Sequence, residues 1–380
     1  VSMRKVVVVS GSFKGSLQSK QLCEIVEQEV RAFFPDSEVV GIAVVDGGEG
    51  TVDCFLASLP GETITVEVNG PYFEPMQALY GRFGETAVVE MAAAAGLPLV
   101  GERKNPLLTT TYGVGELMRH ALEHGAKRLI LALGGSATND GACGAAAALG
   151  TKFFDAEGKA FVPTGGTLSK IAKIDNSETK RLLSGVAVTA MCDIDNPMHG
   201  PNGAAYVFAP QKGASPEDVA FLDSELAALD RIISRELGAE VALVPGAGAA
   251  GAMGAGALAF FGAQLRRGIE TVLDTVRFEE QILGADFVVT GEGRIDEQSL
   301  RGKVVIGVAR RAKTAGVPVV AIVGDVADDI GGVYDAGVTA VFSINRQAIP
   351  VSEAKKRSER DYRMTVQNMV RLLLAARDFR

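Results

Sequence analysis

Apolar and polar positions along the chain follow one another in the pattern of alternating strands and helices. Residues 6–9 form an apolar, β-branched run that stops at Ser10-Gly11-Ser12, which is typical of a parallel strand buried on both faces. Apolar positions then recur every three or four residues until Pro35, as on one face of an amphipathic helix. They are Leu22, Ile25, Val26, Val30 and Phe33. The chain therefore predicts a strand followed by a helix at its start.

This pattern returns near both ends of the chain. An apolar run at 38–45 leads into a helical stretch at 51–57, and a strand-like segment at 63–68 follows. Later apolar runs lie at 286–290, 317–323 and 339–344. Together these segments predict one doubly wound parallel sheet built from both ends, with a second α/β domain inserted between them. Two consecutive domains fit the pattern nearly as well.

Four polar segments follow directly on apolar runs, where strands of a parallel sheet would end. They combine glycine with carboxylate, hydroxyl or amide side chains, and they span 46–51, 134–141, 192–197 and 290–296. Ligands of open α/β sheets bind outside the carboxyl ends of the strands. We therefore expect these segments to meet in one cleft.

The segment from Gly134 to Gly141 has the composition of an anion-binding turn. Glycine allows positive φ and close approach of the backbone, so that amide N–H groups can converge on an anion. The alanine-rich stretch after Asp140 predicts a helix whose N-terminus adds positive potential. The alternative is a tight strand-to-helix turn that binds nothing.

Asp193 and Asp195 stand two residues apart at the end of the apolar run 186–191. In an extended chain their carboxylates face the same side, about 6.5 Å apart along the backbone. This spacing suits a general base beside a metal ligand, although both side chains can instead cap the turn at Asn196-Pro197. Further carboxylates that can hold Mg²⁺ are Asp46, Glu49, Glu292 and Asp296. Lys14 and Arg294 can reach an anionic group, although a lone loop lysine is usually only solvated.

Composition and charge narrow the class of protein. The 45 glycines and the absence of tryptophan among 380 residues fit an α/β enzyme with many tight joints. The formal net charge of -8, with no block of consecutive Lys or Arg, argues against nucleic acid or an anionic membrane surface as partner. Four cysteines without CxxC spacing and three histidines indicate neither a zinc site nor a disulfide framework.

The apolar stretches predict no targeting or membrane segment. The first run is too short for a signal peptide, so we expect a cytoplasmic protein. Nothing is charged between Glu240 and Arg266, a length that could span a bilayer, but its residues are small rather than strongly apolar. A GxGxxG match at Gly246, Gly248 and Gly251 invites a dinucleotide site. The alternative is a small-residue helix packed tightly against a neighbour.

Eight glycine-rich or polar blocks, in order between Val6 and Gly324, resemble those of the bacterial glycerate kinase family. They are 12–17, 46–51, 105–113, 134–141, 192–197, 200–203, 210–214 and 290–296. The resemblance implies an ATP- and Mg²⁺-dependent kinase that acts on D-glycerate, with 2-phosphoglycerate as the favoured product. It also implies a discontinuous flavodoxin-like domain, residues 1–78 and 286–380, around an inserted α/β domain, residues 79–285, with the active site in the cleft between them.

The resemblance also implies roles for individual residues. Asp193 would deprotonate the glycerate hydroxyl that attacks the ATP γ-phosphate, with Asp296 as the next candidate. Lys14 and Arg294 would neutralise anionic charge. Carboxylates that would hold Mg²⁺ are Asp195, Asp46 and Glu292, with Asp296 as an alternative to Asp195. Groups that would bind the nucleotide phosphates are Gly134, Gly135, Ser136 and Thr138.

One departure from the family pattern keeps other functions open. Gly11 stands where the family usually has Asp before Ser-Phe-Lys, so a carboxylate is missing. The rival functions are an NAD-dependent oxidoreductase that uses the Gly246 segment, and a small-acid-binding protein of the same fold with weakened catalysis. The choice between the 2- and 3-hydroxyl depends on sub-ångström placement, and the oligomeric state is open, a homo-oligomer included.

Overall fold

The computed structural model of the chain describes residues 3–13, 15–44, 47–48 and 50–376. Its strands are β1 (Lys5–Ser10), β2 (Glu38–Ala43), β3 (Glu62–Asn69), β4 (Pro75–Phe83), β5 (Thr86–Glu90), β6 (Arg128–Ala132), β7 (Lys152–Phe154), β8 (Ala160–Phe161), β9 (Lys173–Asp175), β10 (Ala187–Met191), β11 (Gln264–Arg266), β12 (Phe287–Gly291), β13 (Arg294–Ile295), β14 (Val319–Val323), β15 (Asp325–Val326) and β16 (Val338–Ser343).

The α-helices are α1 (Ser19–Phe33), α2 (Thr51–Ser58), α3 (Met91–Ala95), α4 (Leu97–Val100), α5 (Tyr112–Glu123), α6 (Cys143–Ala148), α7 (Ser177–Leu182), α8 (Ala204–Phe208), α9 (Pro216–Leu237), α10 (Ala249–Phe261), α11 (Gly268–Thr275), α12 (Phe278–Gln281), α13 (Val304–Thr314), α14 (Gly331–Asp335), α15 (Val351–Lys356) and α16 (Ser358–Ala376). Short 3₁₀-helices span Leu168–Lys170, Pro210–Lys212 and Glu297–Arg301.

The chain divides into two compact units. Unit 1 comprises residues 1–45, 53–59 and 267–380, and unit 2 comprises residues 46–52 and 60–266. A discontinuous unit built from both ends of the chain is thus confirmed, with boundaries that differ from the expected 78/79 and 285/286.

Pairing and packing explain where the boundaries lie. Strand β3 pairs with β4 of unit 2 along its whole length, from Glu62↔Arg82 to Asn69↔Pro75. On the other side, Arg311 of α13 binds Asp274 of α11 at 2.7 Å, which ties the helices after residue 267 to unit 1.

Unit 1 contains a five-stranded parallel sheet in the order β2-β1-β12-β14-β16. Numbered by appearance within the unit, this order is 2-1-3-4-5, that of flavodoxin-like folds. The side chains of residues 6–9 are fully buried, as expected of a strand that helices cover on both faces. Leu22, Ile25, Val26 and Val30 of α1 are buried in the same core. The predicted doubly wound sheet is therefore confirmed.

Unit 2 contains a mixed six-stranded sheet in the order β11-β10-β6-β5-β4-β3. The β3–β4 and β4–β5 pairs are antiparallel, whereas β5, β6, β10 and β11 run parallel to one another. Because β5, β6 and β10 are parallel neighbours, their carboxyl ends meet at one edge of the sheet. That edge carries the loops that form the candidate site.

The uncharged stretch between Glu240 and Arg266 forms part of the unit 2 core. It contains α10, whose small side chains are nearly all buried. Within the described ranges, no helix combines the length and the apolar character that crossing a membrane would need.

Candidate functional site

A cavity of about 400 Å³ lies in unit 2 at the carboxyl ends of β6 and β10. Its lining consists of Gly48, Leu97, Leu133, Gly134, Gly135, Ser136, Met191, Cys192, Asp193, Ile194, Phe208, Gln211, Lys212, Ala249 and Ala250. The segments after β6 and β10 thus contribute to one cavity. Gly134, Gly135, Ser136 and Asp193, all proposed from the sequence, lie on its lining.

The turn after β6 needs glycine at two positions. A Cβ on Gly134 would lie 2.5 Å from the Cα of Gly48, and the Gly134 amide donates to the Gly47 carbonyl at 2.9 Å. Gly135 has a φ of 76°, which side chains disfavour. The glycines therefore allow this turn to pass close to the 47–48 segment.

Thr138 and Asp140 are fully buried in the same loop. The Thr138 side chain is not part of the cavity lining, so its hydroxyl is not presented to a ligand there as the sequence analysis expected. Asp140 accepts hydrogen bonds from the Thr111 amide at 2.8 Å, the Thr111 hydroxyl at 2.9 Å and the Gly144 amide at 3.2 Å. Burial raises the pKa of Asp140, and these bonds oppose that shift.

Lys212 is the site residue that sequence reasoning missed. It ends the 3₁₀-helix Pro210–Lys212, and only 2% of its surface is exposed. Its Nζ donates to the Ser136 hydroxyl at 2.8 Å and to the Thr138 carbonyl at 2.6 Å. Burial lowers the pKa of Lys212 to about 7, and the charge of Asp140 opposes that shift.

The sequence contains little that signals the burial of Lys212. Lys212 lies in the block 210–214, which resembles the family, but the sequence indicates no role for it. The local clue is Gly213, whose φ of 93° ends the 3₁₀-helix and whose added Cβ would lie 2.6 Å from the Lys104 Cβ. This close packing holds the turn in place, but the packing partner cannot be identified from the sequence.

Asp193 and Asp195 lie in the segment without regular secondary structure that follows β10. Both side chains are exposed, and Asp193 lines the cavity whereas Asp195 does not. Hydrogen bonds hold the segment at both ends: the Cys192 amide donates to the Arg266 carbonyl and the Gly248 amide to the Asn196 carbonyl, each at 2.9 Å. Of the two carboxylates, only that of Asp193 thus belongs to a residue of the cavity lining.

The glycine-rich segment at the start of α10 serves packing rather than dinucleotide binding. A Cβ on Gly251 would lie 2.0 Å from the Thr138 carbonyl oxygen, and the Gly141 amide donates to the Gly251 carbonyl at 3.1 Å. The dinucleotide fingerprint requires a strand directly before the glycines, whereas turns precede Gly246 here. Ala250 and Ala252 adopt φ values of 53° and 67°, a strained conformation typical of functional sites.

Unit 1 carries its own polar cluster after β12. The Ser299 hydroxyl donates to Glu292, and the Ser299 amide donates to Asp296 Oδ1 at 3.2 Å. Lys303 Nζ lies 3.7 Å from Asp296 Oδ1, and Arg294 Nε lies 3.9 Å from Asp296 Oδ2. Burial raises the pKa of Glu292 to about 6, which the Ser299 hydrogen bond opposes. Glu292, Arg294 and Asp296 therefore lie in one cluster.

Three of the predicted residues, Lys14, Asp46 and Glu49, lie outside the described residues. Asp195 belongs to unit 2 but does not line the cavity. In the part of the chain that the structure describes, no three His, Cys, Asp or Glu residues are grouped so that they could hold a metal ion.

Gly11 follows β1, and its amide donates to the Gly291 carbonyl at 2.8 Å. A Cβ at this position would lie 3.1 Å from Val304 Cγ2. An aspartate there would require Val304 to shift.

Comparison with known proteins assigns the chain to a family. The sequence model of the glycerate kinase family matches residues 6–374. The chain belongs to the glycerate kinase family. Its membership confirms the resemblance carried by the eight blocks, and nothing favours the oxidoreductase alternative.

Similar proteins cover nearly the whole chain. The glycerate kinase of Bacillus cereus is 46% identical over 96% of this chain and 97% of its own. The glycerate 2-kinase of Escherichia coli is 45% identical over 90% of each chain. A crystal structure assigned to glycerate kinase 2 of Salmonella typhimurium is 41% identical and aligns with a TM-score of 0.86 over 99% of this chain and 100% of that one.

Proposed function

We propose that this member of the glycerate kinase family transfers the γ-phosphoryl group of ATP to the 2-hydroxyl of D-glycerate. The chain is a phosphotransferase by family, and the name of the Escherichia coli relative, glycerate 2-kinase, supports the 2-position. The observation that carries the proposal is the cavity lining shared by Gly134–Ser136, Asp193 and Lys212. An amide-rich turn, a carboxylate and a cation in one cavity are components that phosphoryl transfer uses.

The turn after β6 is the proposed binding site for the nucleotide phosphates. The Gly134 amide already donates to Gly47, and the described residues supply no acceptor for the amides of Gly135 and Ser136. Backbone amides that face a cavity can bind phosphate oxygens. The Ser136 hydroxyl adds a further donor. The carbonyl of the buried Thr138 accepts a hydrogen bond from Lys212 and so helps to position it.

Asp193 is the proposed general base. Its carboxylate lies on the cavity lining and is exposed, so that a small hydroxy acid in the cavity can approach it. A base at this point accepts the hydroxyl proton as the oxygen attacks phosphorus, which contributes roughly 10²–10⁴-fold to the rate. Asp296 of unit 1 is the alternative base.

The donor set of the chain fits Mg²⁺, which prefers oxygen ligands. Glu292 and Asp296 both accept hydrogen bonds from Ser299, so two carboxylates lie in one cluster. These two carboxylates are proposed to hold the ion, which when bound would neutralise charge on the phosphate oxygens. Asp195 and Asp46, which belong to unit 2, are the alternative candidates. Arg294, with Lys14, is proposed to neutralise the remaining anionic charge.

Phosphorus NMR of the reaction products tests the reaction class and the position of transfer together. The purified chain is incubated with ATP, Mg²⁺ and D-glycerate, and a coupled assay follows ADP. We expect ADP to form only when D-glycerate is present and the product to be 2-phosphoglycerate. Failure to form ADP contradicts the proposed activity and favours a small-acid-binding protein. Formation of 3-phosphoglycerate contradicts the proposed acceptor hydroxyl.

A further inference from the structure

The hydrogen bonds of Lys212 match those of a neutral amine. Its Nζ has two acceptors, the Ser136 hydroxyl and the Thr138 carbonyl, and a neutral amine carries two N–H groups. Protonation adds a third N–H, for which the described residues provide no acceptor. Because Lys212 lines the cavity, a ligand there can supply the missing acceptor.

No carboxylate of the described residues forms an ion pair with Lys212. The charged groups around it are Asp140, which is buried and bonded to Thr111 and Gly144, Asp193 on the cavity lining, and Lys104, whose backbone packs against Gly213. A buried ammonium without a paired anion is costly. The lowered pKa of Lys212, about 7, is consistent with this arrangement.

Phosphate is the anion that best fits this position. Ser136, which accepts from Lys212, belongs to the turn whose glycines and amides lie on the same cavity lining. A phosphate oxygen at the turn would pair with the ammonium and accept the hydrogen bond of its third N–H. Charge-assisted bonds of this kind are stronger than neutral ones.

We propose that Lys212 binds a terminal phosphate of ATP in the unit 2 cavity and takes up a proton from solvent as the nucleotide binds. The inference rests on the proposed function, since it assumes that ATP occupies this cavity. It assigns the residue that senses the nucleotide's charge, a role that the sequence had not indicated.

Isothermal titration calorimetry with ATP, in the absence of D-glycerate, tests the coupling. Titrations at pH 8 in HEPES and in Tris give the number of protons taken up from the dependence of the binding enthalpy on the ionisation enthalpy of the buffer. We expect proton uptake by the parent chain, no such uptake by Lys212→Met, and an increase of Kd of at least tenfold in that variant. Lys159→Met, which replaces an exposed lysine, is the matched control and should behave as the parent.

A measurement on the parent chain avoids any dependence on the folding of a variant. If a neutral lysine must be protonated before ATP binds, Kd for ATP should rise with pH between 7 and 9, by up to about tenfold per pH unit. A flat profile contradicts the proposal.

The outcomes separate the inference from the proposed function. Absence of ATP binding by the parent chain contradicts both. Equal Kd and equal proton uptake in the parent and in a folded Lys212→Met variant contradict the inference alone, because ATP then binds without Lys212. Proton uptake on binding of D-glycerate but not of ATP also overturns it, since the anion at Lys212 would then be a carboxylate.

Discussion

Burial determines the charge of the ionisable side chains around the candidate site. Lys212 and Asp140 are both buried and their charges interact, and burial lowers the pKa of the lysine and raises that of the carboxyl group. Glu292 in unit 1 follows the same rule, with its pKa raised to about 6. In each case burial disfavours the charged form of the side chain. A ligand that brings an opposite charge would oppose this effect.

Replacement of Asp193 by asparagine tests the proposed base. The amide keeps the size of the side chain but cannot accept the hydroxyl proton, so kcat should fall by roughly 10²–10⁴-fold. Steady-state kinetics at saturating ATP, Mg²⁺ and D-glycerate measures the effect. Asp36→Asn is the matched control, because it makes the same change at an exposed aspartate that has no proposed role and does not line the cavity. Turnover of Asp193→Asn at the parent rate would refute the assignment and leave Asp296 as the base.

Replacement of Lys212 by methionine tests its charge through stability. The folded state holds the pKa near 7, below the value of 10.5 for an ordinary lysine, so between these values the unfolded chain binds more protons than the folded one. The free energy of unfolding of the parent should therefore rise relative to that of Lys212→Met, by about 2 kcal/mol from pH 7 to pH 9.

Urea denaturation of both proteins at the two pH values measures this difference. Lys159→Met serves as the control because its lysine is exposed. A difference between parent and Lys212→Met that does not change with pH would mean that the lysine is charged in the folded state at pH 7.

The sequence allowed part of the candidate site to be predicted. Gly134–Ser136 and Asp193 follow apolar runs, and the rule that parallel strands place their carboxyl ends together brought them to one cavity. Lys212 could not be found in this way, because it lies on a 3₁₀-helix outside the sheet. Its burial depends on contacts with residues 136 and 138, far away in sequence.

Close helix packing in unit 2 depends on glycine. Gly115 of α5 faces α6, where a Cβ would lie 2.3 Å from the Ala145 carbonyl oxygen and 2.7 Å from the Ala148 Cβ. A backbone atom cannot move aside as the end of a flexible side chain can. The two helices can therefore approach this closely only because residue 115 has no side chain.

Replacement of Gly115 by alanine should lower the free energy of unfolding by roughly 1–3 kcal/mol, because the methyl group overpacks this contact. Gly331→Ala is the control, since its Cβ would meet only Asp329 Oδ1 at 3.7 Å, and a change within about 0.5 kcal/mol is expected. Urea denaturation measures both. Equal stability of Gly115→Ala and the parent would show that α5 and α6 can separate at little cost.

The accuracy of the fold prediction differed between elements. Strands β1, β12 and β14 were predicted because fully buried parallel strands are continuous apolar runs. Strand β3 was predicted as a strand but assigned to the first domain, because its antiparallel partner β4 is identified by pairing rather than by composition. The left-handed residues Ala250 and Ala252 could not be predicted, since alanine has no preference for that conformation.

The two units differ in how the chain builds their sheets. In unit 2 every strand of the six-stranded sheet comes from one continuous stretch, residues 62–266. In unit 1 the central strand β12 pairs with β1, from Val6↔Phe287 to Ser10↔Gly291, so its sheet needs both ends of the chain. Unit 2 therefore has the elements of an independently folding domain, whereas no single stretch of unit 1 has them.

A fragment of residues 46–266 should fold cooperatively by itself. It contains the unit 2 core and also the Val52 amide, which donates to the buried Glu90 carboxylate at 2.7 Å.

A fragment of residues 267–380 is the control. It keeps β12, β14 and β16 but lacks β1 and β2, so β12 is left with an unpaired edge beside exposed apolar side chains. Circular dichroism during urea denaturation should show a sigmoidal transition for the first fragment and a gradual change for the second. A gradual change for residues 46–266 would mean that its sheet depends on unit 1 for stability, because the pairing partners of all six strands are present in the fragment.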